Sequence, residues 1–126
     1  SAHAYQERIA YLFPQPPDAG AVARYLDHLT RLIRLARAHG AEVVAIKPPV
    51  PARFAALMPH EAQFDAALRS RLAAEGVRFH DFSAAVPEPQ FYFDTDHLNR
   101  RGAEQFLHGH LAAVLDSRPD APAAQD

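Results

Sequence analysis

The sequence predicts an α/β fold, because short apolar strand-like runs alternate with amphipathic helical patterns along most of the chain. Twice a helical pattern ends at a glycine and a strand-like run follows: Gly40 precedes residues 42–47, and Gly76 precedes residues 77–82. A last amphipathic pattern covers residues 103–115. The predicted order is therefore helix, strand, helix, strand, loop and helix, with the two strands parallel.

Composition limits the chain to one globular domain. It has 126 residues, of which 48% are hydrophobic and 22% are charged, as in ordinary globular proteins. A net charge of −2 provides no basic field for nucleic acid. The absence of cysteine excludes disulfides, thiolate metal sites and a cysteine nucleophile. No apolar run approaches the length of a membrane span and no signal peptide is visible, so no membrane segment is predicted in this chain.

The two ends of the chain differ from its middle. Residues 1–17 are predicted to be an N-terminal arm or linker, in which residues 8–13 fit either a short strand or a helical turn. Three prolines within residues 14–17 then favour an extended backbone. Residues 117–126 lack apolar periodicity and are predicted to be a flexible tail. The α/β domain is therefore predicted to occupy residues 18–116.

The first helix and the first strand have clear boundaries in the sequence. Asp18 is the predicted N-cap of a helix whose apolar residues recur at steps of three and four through residues 22–36. Residues 42–47 are apolar and rich in β-branched side chains, as in a strand buried on both faces. Two prolines end this strand. Because α/β sheets bind ligands at the carboxyl ends of their strands, the loop at residues 48–51 is predicted to lie at the functional edge.

The second half of the domain repeats this organisation. Residues 51–58 fit a short helical turn, and a longer helix is predicted to begin at Glu61. Residues 77–82 alternate apolar and polar side chains, which predicts a second strand with one more exposed face. Residues 84–90 contain two prolines and no periodicity, so a loop is predicted there. Asn99 is the predicted N-cap of the last helix.

Two acids and a histidine, Asp94, Asp96 and His97, lie in the loop before the last helix. A carboxylate three residues before a histidine can turn back and accept the ring N–H, which fixes the tautomer and leaves the other nitrogen as a general base. His97 is therefore the candidate base, and Asp94 is its candidate orienting partner. Asp96 is predicted to be a loop or cap residue, and Gly102 is predicted to allow close packing of the last helix on the sheet.

Two other interpretations of this loop are open. The loop is a polar cap of the last helix without chemistry, or it holds a metal ion through Asp94, Asp96 and His97, with His80 or Asp81 as a further ligand. The chain has no His-x-x-x-His pair. Clusters of carboxylates on a protein surface often contact only water and bind no metal. No metal and no cofactor are therefore predicted.

The motif Asp94-x-x-His97, followed by Leu-Asn-x-x-Gly, resembles the last sequence block of the SGNH/GDSL hydrolase family. Residues 43–50 resemble the family strand that ends in a proline loop, and residues 77–83 resemble the strand that leads to this block. The resemblance implies the C-terminal half of a three-layer, flavodoxin-like α/β sandwich. It also implies a serine esterase or O-acyltransferase, without a cofactor, in which Asp94 and His97 complete a triad on an ester or acylated carbohydrate.

The chain departs from the family where the nucleophile belongs. The family's Gly-Asp-Ser block and its Gly-x-Asn-Asp segment are absent, and none of the four serines, Ser1, Ser70, Ser83 and Ser117, has such a setting. We therefore expect the serine to come from other sequence, or the chain to be an inactive α/β binding module that kept the loop. The motif Asp-His-Leu-Asn resembles a motif of bacterial proteins associated with acylation of cell-surface polymers, which implies an extracytoplasmic location.

The family arrangement gives the strand at residues 42–47 a neighbour that this chain lacks. Its open edge is predicted to pair with residues 8–13, to be covered by the N-terminal arm, or to recruit another molecule. The sequence therefore predicts that the chain self-associates.

Overall fold

The computed structural model describes residues 1–16 and 18–117 as a mixed fold of helices around a two-stranded parallel sheet. The helices are α1 (Ala2–Leu12), α2 (Ala19–Ala38), α3 (Ala52–Ala55), α4 (Glu61–Ala74), α5 (Arg100–Phe106) and α6 (Ala112–Asp116), and the strands are β1 (Val44–Lys47) and β2 (Arg78–Asp81). A 3₁₀ turn covers Pro89–Phe91, and a π-helical segment covers Leu107–Leu111. The predicted α/β class is confirmed. None of the described helices combines the length and hydropathy needed to cross a bilayer.

Strands β1 and β2 are parallel neighbours, paired over all four residues of each. Helix α4 makes the crossover between them, as parallel strands require. Backbone hydrogen bonds continue past the strand ends: Val50 N–H donates to the Ser83 carbonyl, and Ala52 N–H donates to the Pro87 carbonyl, each at 3.1 Å. The loops that follow the two strands are therefore held side by side at one edge of the sheet.

Local signals in the sequence set the helix boundaries as predicted. The Asp18 carboxylate accepts the N–H of Ala21 at 2.6 Å and caps α2. Gly40 and Gly76 follow the C-caps of α2 and α4 with φ angles of 81° and 65°. These angles lie in the left-handed region that glycine adopts at least cost, so each glycine ends its helix and turns the chain into a strand.

Helices α2 and α4 pack on one face of the sheet. The buried centre of this cluster is Ile33, Leu72 and Val77, and the partly buried side chains around it are Leu29, Val43, Ala45, Leu68 and Phe79. Burying apolar surface contributes about 25 cal/mol per Å². This cluster is therefore what holds the two helices against β1 and β2.

A second buried cluster lies under the loop that carries Asp94 and His97. It consists of Val86, Tyr92 and Phe106, with Phe82, Ala85, Phe91, Leu98 and Leu111 packed around it. The Tyr92 hydroxyl donates to the Val86 carbonyl at 2.7 Å. Burial, together with nearby Glu88 and Tyr5, raises the pKa of Tyr92 to about 12, so the phenol keeps its proton at neutral pH. The loop thus packs on an apolar cluster that contains a buried hydrogen bond between Tyr92 and Val86.

The N-terminal segment is a helix, and the alternative of a strand at residues 8–13 is wrong. Ser1 caps α1, and Tyr5 on α1 is buried. The Arg53 guanidinium of α3 lies 5.8 Å from the centre of the Tyr5 ring. Helix α1 therefore packs on the loops at the carboxyl ends of the strands. Of the predicted flexible tail, everything beyond Ser117 lies outside the described residues.

Strand β1 has a neighbour on one side only within the described residues, because α1 is helical and adds no strand. A groove of about 300 Å³ runs along this strand and α2. Exposed apolar side chains of this region include Tyr25, Leu32 and Ile46. Pairing of β1 with residues 8–13, one of the three alternatives for this edge, is therefore wrong, and no other strand pairs with that edge in the described part of the chain.

The last amphipathic helix is continuous from α5 to α6 but contains the π-helical segment. Phe106 and Val114 are buried, whereas Leu107 and Leu115, which the α-helical pattern places on the same apolar face, are 44% and 64% exposed. The apolar face of this helix is therefore narrower than the sequence pattern indicates.

Candidate active site

Asp94 begins a tight turn that its own side chain closes. Its Oδ1 accepts the backbone N–H of Asp96 at 2.9 Å and the backbone N–H of His97 at 2.8 Å. A third hydrogen bond, from Phe93 N–H to the His97 carbonyl at 3.0 Å, joins the two ends of the turn. Aspartate favours such turns because its short side chain reaches the N–H groups two and three residues on. The turn places the side chains of Asp94 and His97 next to each other.

The two predicted site residues form a hydrogen-bonded pair. His97 Nδ1 lies 2.8 Å from Oδ2 and 3.1 Å from Oδ1 of Asp94. Since an ionised carboxylate only accepts hydrogen bonds, Nδ1 is the donor in neutral His97, and Nε2 carries the lone pair. The His97 side chain is 54% exposed, and no described residue is hydrogen-bonded to Nε2. The ring nitrogen needed by a general base is therefore not occupied by another described residue.

The charge of Asp94 is stabilised by its surroundings. Partial desolvation alone would raise the pKa of Asp94. The backbone N–H groups of Asp96 and His97 and the His97 ring outweigh this effect and hold the pKa of Asp94 below its ordinary value. Asp94 is therefore ionised at neutral pH, the state in which it can orient a histidine and stabilise an imidazolium.

Asn99 fixes the C-terminal side of the turn. Its Oδ1 accepts the N–H of Gly102 at 3.0 Å, which confirms the predicted N-cap of α5, and its Nδ2 donates to the Gln90 carbonyl at 2.8 Å. The Asn99 N–H also donates to the Phe91 carbonyl at 2.8 Å. The start of α5 and the 3₁₀ turn are thus joined on both sides of the candidate site.

Gly102 allows α5 to approach the backbone of Phe91 closely. A Cβ atom at Gly102 would lie 2.2 Å from the Phe91 carbonyl oxygen and 2.9 Å from Leu98 Cδ2. The predicted role in close packing is confirmed, but the backbone that α5 approaches is that of Phe91 in the loop, not that of the sheet. A side chain here would separate α5 from the base of the Asp94–His97 turn.

Asp96 makes a long-range contact and does not cap a helix. Arg8 on α1 donates from Nε to Oδ1 and from Nη2 to Oδ2 of Asp96, each at 3.1 Å. Hydrogen bonding to Asp96 outweighs partial desolvation and raises the pKa of Arg8 above its ordinary value. Sequence reasoning missed Arg8, because it lies 88 residues from its partner and no local pattern connects the two.

The same cluster is the candidate metal site. Asp94, Asp96 and His97 each offer a ligand atom, and these atoms lie within 4.8 Å of one another. However, both oxygens of Asp96 accept hydrogen bonds from Arg8, whose positive charge opposes a cation. Asp94 is likewise engaged with the His97 ring and with two backbone N–H groups. The arrangement fits an orienting acid and a base better than a metal centre.

An exposed aromatic ring lies against the candidate base. The rings of Phe93 and His97 are stacked, with centroids 5.7 Å apart and planes at 20°. The Phe93 residue is 72% exposed, so most of its apolar surface faces outward. A ligand that approaches His97 would therefore meet an apolar platform beside the ring nitrogen.

The chain's own serines are engaged elsewhere. Ser1 caps α1, Ser83 is hydrogen-bonded to the Asp81 carboxylate, and the Ser117 hydroxyl donates to the carbonyl of Val114. Ser70 lies within α4 in a groove between α2 and α4. No serine hydroxyl is hydrogen-bonded to His97 within the described residues, which include all four serines. The structure brings together the predicted acid and base and no nucleophile.

Comparison with known proteins provides no family assignment. No family model, no curated protein and no solved structure matches the chain. The resemblance to SGNH/GDSL hydrolases therefore remains a prediction, based on the quoted residues, and the geometry of the loop is the independent observation beside it.

Proposed function

We propose that this chain provides the Asp–His half of a serine esterase or O-acyltransferase of the SGNH/GDSL type. The observation that supports the proposal is the 2.8 Å contact of His97 Nδ1 with Asp94 Oδ2, in a half-exposed side chain whose Nε2 has no hydrogen-bond partner among the described residues. His97 is the general base and Asp94 is the orienting partner. A histidine so held takes the proton of a serine hydroxyl through Nε2, and the adjacent carboxylate stabilises the resulting imidazolium.

The reaction follows from these two roles. The serine oxygen attacks the ester carbonyl while His97 takes its proton, and the imidazolium then returns that proton to the leaving alcohol. The acyl-serine is next attacked by water or by an acceptor hydroxyl, from which His97 again removes the proton. The serine and the oxyanion donors are proposed to come from sequence outside this chain, because none of its four serines is hydrogen-bonded to His97.

The proposed fold is the C-terminal half of a three-layer, flavodoxin-like sandwich. Two strands are fewer than an independent sheet usually has. The packing of α2 and α4 around Ala45 and Phe79 supports one outer layer. The edge-on contact of Phe82 with Phe106, at 5.3 Å between ring centroids, supports the last helix as the opposite layer.

The proposed substrate is an ester or an acylated carbohydrate. The exposed face of Phe93 supports this, because an aromatic ring provides contact area for an acyl chain or for the apolar face of a sugar ring. The platform lies against the ring of the base, so it would hold the ester close to the site of proton transfer.

The decisive experiment is His97→Gln in the full-length protein that carries the nucleophile. We expect ester hydrolysis, measured with p-nitrophenyl acetate, to fall by about 10³-fold or more, since the base is lost. Labelling of the serine with a fluorophosphonate probe should be lost with it. The control is His108→Gln, because His108 is an exposed histidine of the π-helical segment that makes no contact with Asp94. Unchanged turnover in His97→Gln would remove the catalytic role.

The alternative function is a catalytically inactive α/β binding module. The observation in its favour is that no serine of this chain is hydrogen-bonded to His97 in the described residues. This alternative predicts that the full-length protein neither hydrolyses the ester nor reacts with the fluorophosphonate, whereas the esterase predicts both activities in the wild type.

We also propose that the chain self-associates through the open edge of β1, as supported by its single neighbour and by exposed Ile46. We expect a dimer in size-exclusion chromatography with light scattering at about 100 μM, and dissociation in Ile46→Lys, since edge charge opposes strand pairing. The control is Leu115→Lys, which alters an exposed residue of α6. A wild-type monomer at that concentration would contradict the proposal.

A further inference from the structure

Two carboxylates flank the same ring nitrogen of His97. Nδ1 lies 2.8 Å from Asp94 Oδ2 and 3.8 Å from Asp96 Oδ1. The proton on Nδ1 can be donated fully to only one of them. Asp96 is adjacent to His97 in the chain and its side chain is more buried than that of Asp94, at 14% against 39% exposed. The turn favours Asp94 as the partner, and a second cause is needed to keep the nearby Asp96 from competing for this proton.

Arg8 provides that cause, because it occupies Asp96. Its Nε and Nη2 reach the two oxygens of Asp96 at 3.1 Å each, which is the bidentate geometry of strong guanidinium–carboxylate pairs. The Thr95 hydroxyl also donates to Asp96 Oδ1 at 2.7 Å. The oxygen of Asp96 nearest to His97 thus accepts two hydrogen bonds already. Asp94 Oδ2, in contrast, accepts only from the His97 ring among the described residues.

We infer that Arg8 is a positioning residue, which holds Asp96 so that Asp94 is left as the single orienting partner of His97. Arg8 touches neither His97 nor a reacting atom, so it acts through Asp96 and connects α1 to the candidate site. The inference rests on the proposed role of His97 as base. The charged groups around the ring are Asp94 and Asp96 from its own loop and Arg8 from α1, with Tyr11 of α1 against the Arg8 guanidinium at 5.7 Å.

The test is Arg8→Gln, observed through the His97 ring signals in ¹H–¹⁵N NMR spectra of the 126-residue chain. Without Arg8 the charge of Asp96 acts on Nδ1 unopposed. Asp96 Oδ1, which lies 3.8 Å from Nδ1, can then compete with Asp94 for the Nδ1 proton. We therefore expect the Nδ1 and Nδ1–H signals of His97 to be displaced from their wild-type positions.

The double variant Arg8→Gln/Asp96→Asn distinguishes two explanations of an altered His97 ring. In one, Arg8 acts by occupying Asp96, and in the other, Arg8 acts only by attaching α1 to the loop. The double variant removes the competing charge while the attachment stays broken, so we expect the ring signals to return to their wild-type positions. Arg8→Lys, which keeps the charge, should stay near the wild type. The control Arg100→Gln alters an exposed arginine paired with Glu104 on α5 and should change nothing.

Two results would overturn the inference: wild-type ring signals in Arg8→Gln, or equal displacement of the signals in the single and double variants. Circular dichroism of each variant shows whether the fold is retained. Because the readout needs no substrate, it is independent of the test of function. If His97→Gln leaves turnover unchanged while the NMR result is as expected, the proposed function fails and the orienting role of Arg8 stands.

Discussion

If the proposed esterase function holds, replacing Asp94 with asparagine is expected to lower ester turnover of the protein that carries the nucleophile by about 10³- to 10⁴-fold while leaving the turn folded. Asparagine keeps an Oδ1 that accepts the N–H groups of Asp96 and His97, as aspartate does at 2.9 and 2.8 Å. Its second atom is an N–H₂ donor in the place of Oδ2. His97 must then accept at Nδ1 and carry its proton on Nε2, where a base needs a lone pair.

The measurement has two parts. Turnover of an ester by the full-length protein gives the loss in kcat/KM, and ¹⁵N shifts of the His97 ring in the 126-residue chain give the tautomer. The control is Asp116→Asn, an exposed acid in α6 that should change neither quantity. Turnover within threefold of the wild type, or an unchanged tautomer, would contradict the orienting role of Asp94.

The dependence of the free energy of unfolding on pH, in the acidic range, provides a second test of Asp94→Asn. The pKa of Asp94 is lowered in the folded chain, so its ionised form contributes stability that is fully present above the ordinary pKa and is lost as the pH falls through the lower folded value. Asparagine does not titrate. The wild type should therefore lose more free energy of unfolding than Asp94→Asn as the pH falls from neutral to strongly acidic.

Gly102→Ala is expected to reduce the free energy of unfolding by about 3 kcal/mol or more, because overpacking against a rigid neighbour is costly. The added Cβ would lie 2.2 Å from the Phe91 carbonyl oxygen, a backbone atom that cannot rotate away. Helix α5 or the 3₁₀ turn has to move. Both adjoin the Asp94–His97 turn, so the site should be disturbed along with the fold.

The matched control is Gly109→Ala. A Cβ atom at Gly109 meets nothing within 4 Å, and replacing a helical glycine with alanine usually stabilises by about 0.5–1 kcal/mol. Urea denaturation followed by circular dichroism gives both values. Equal effects of the two substitutions would show that the contact at Gly102 relaxes without cost.

Features that depend on short stretches of sequence were predictable. The caps at Asp18 and Asn99 and the two glycine helix ends each need only a few neighbouring residues, and all of them are present. The pairing of Asp94 with His97 belongs to the same class, because a spacing of three residues fits one turn of backbone. The α/β class was predictable for the same reason, because the periodicity of each helix and each strand is visible within a short stretch of sequence.

Features that depend on packing between distant segments were not predictable. The partner of Asp96 is Arg8, which no spacing rule connects to it. The segment of residues 8–13 fitted a strand or a helix equally well in sequence, and the buried Tyr5 on α1 is a tertiary contact. The π-helical segment and the exposure of Leu107 and Leu115 are likewise not indicated by the residues, which look ordinary for an α-helix.

The turn that begins at Asp94 has a consequence for how such a site is inherited. Its acid, its base and the hydrogen bonds between them lie within residues 93–97, so bringing the two side chains together costs little loop-closure entropy. A nucleophile from a distant segment meets a base that is already oriented. A graft of residues 93–97 onto another loop would therefore carry the acid and the base together, but Asp96 would need a new partner in the place of Arg8.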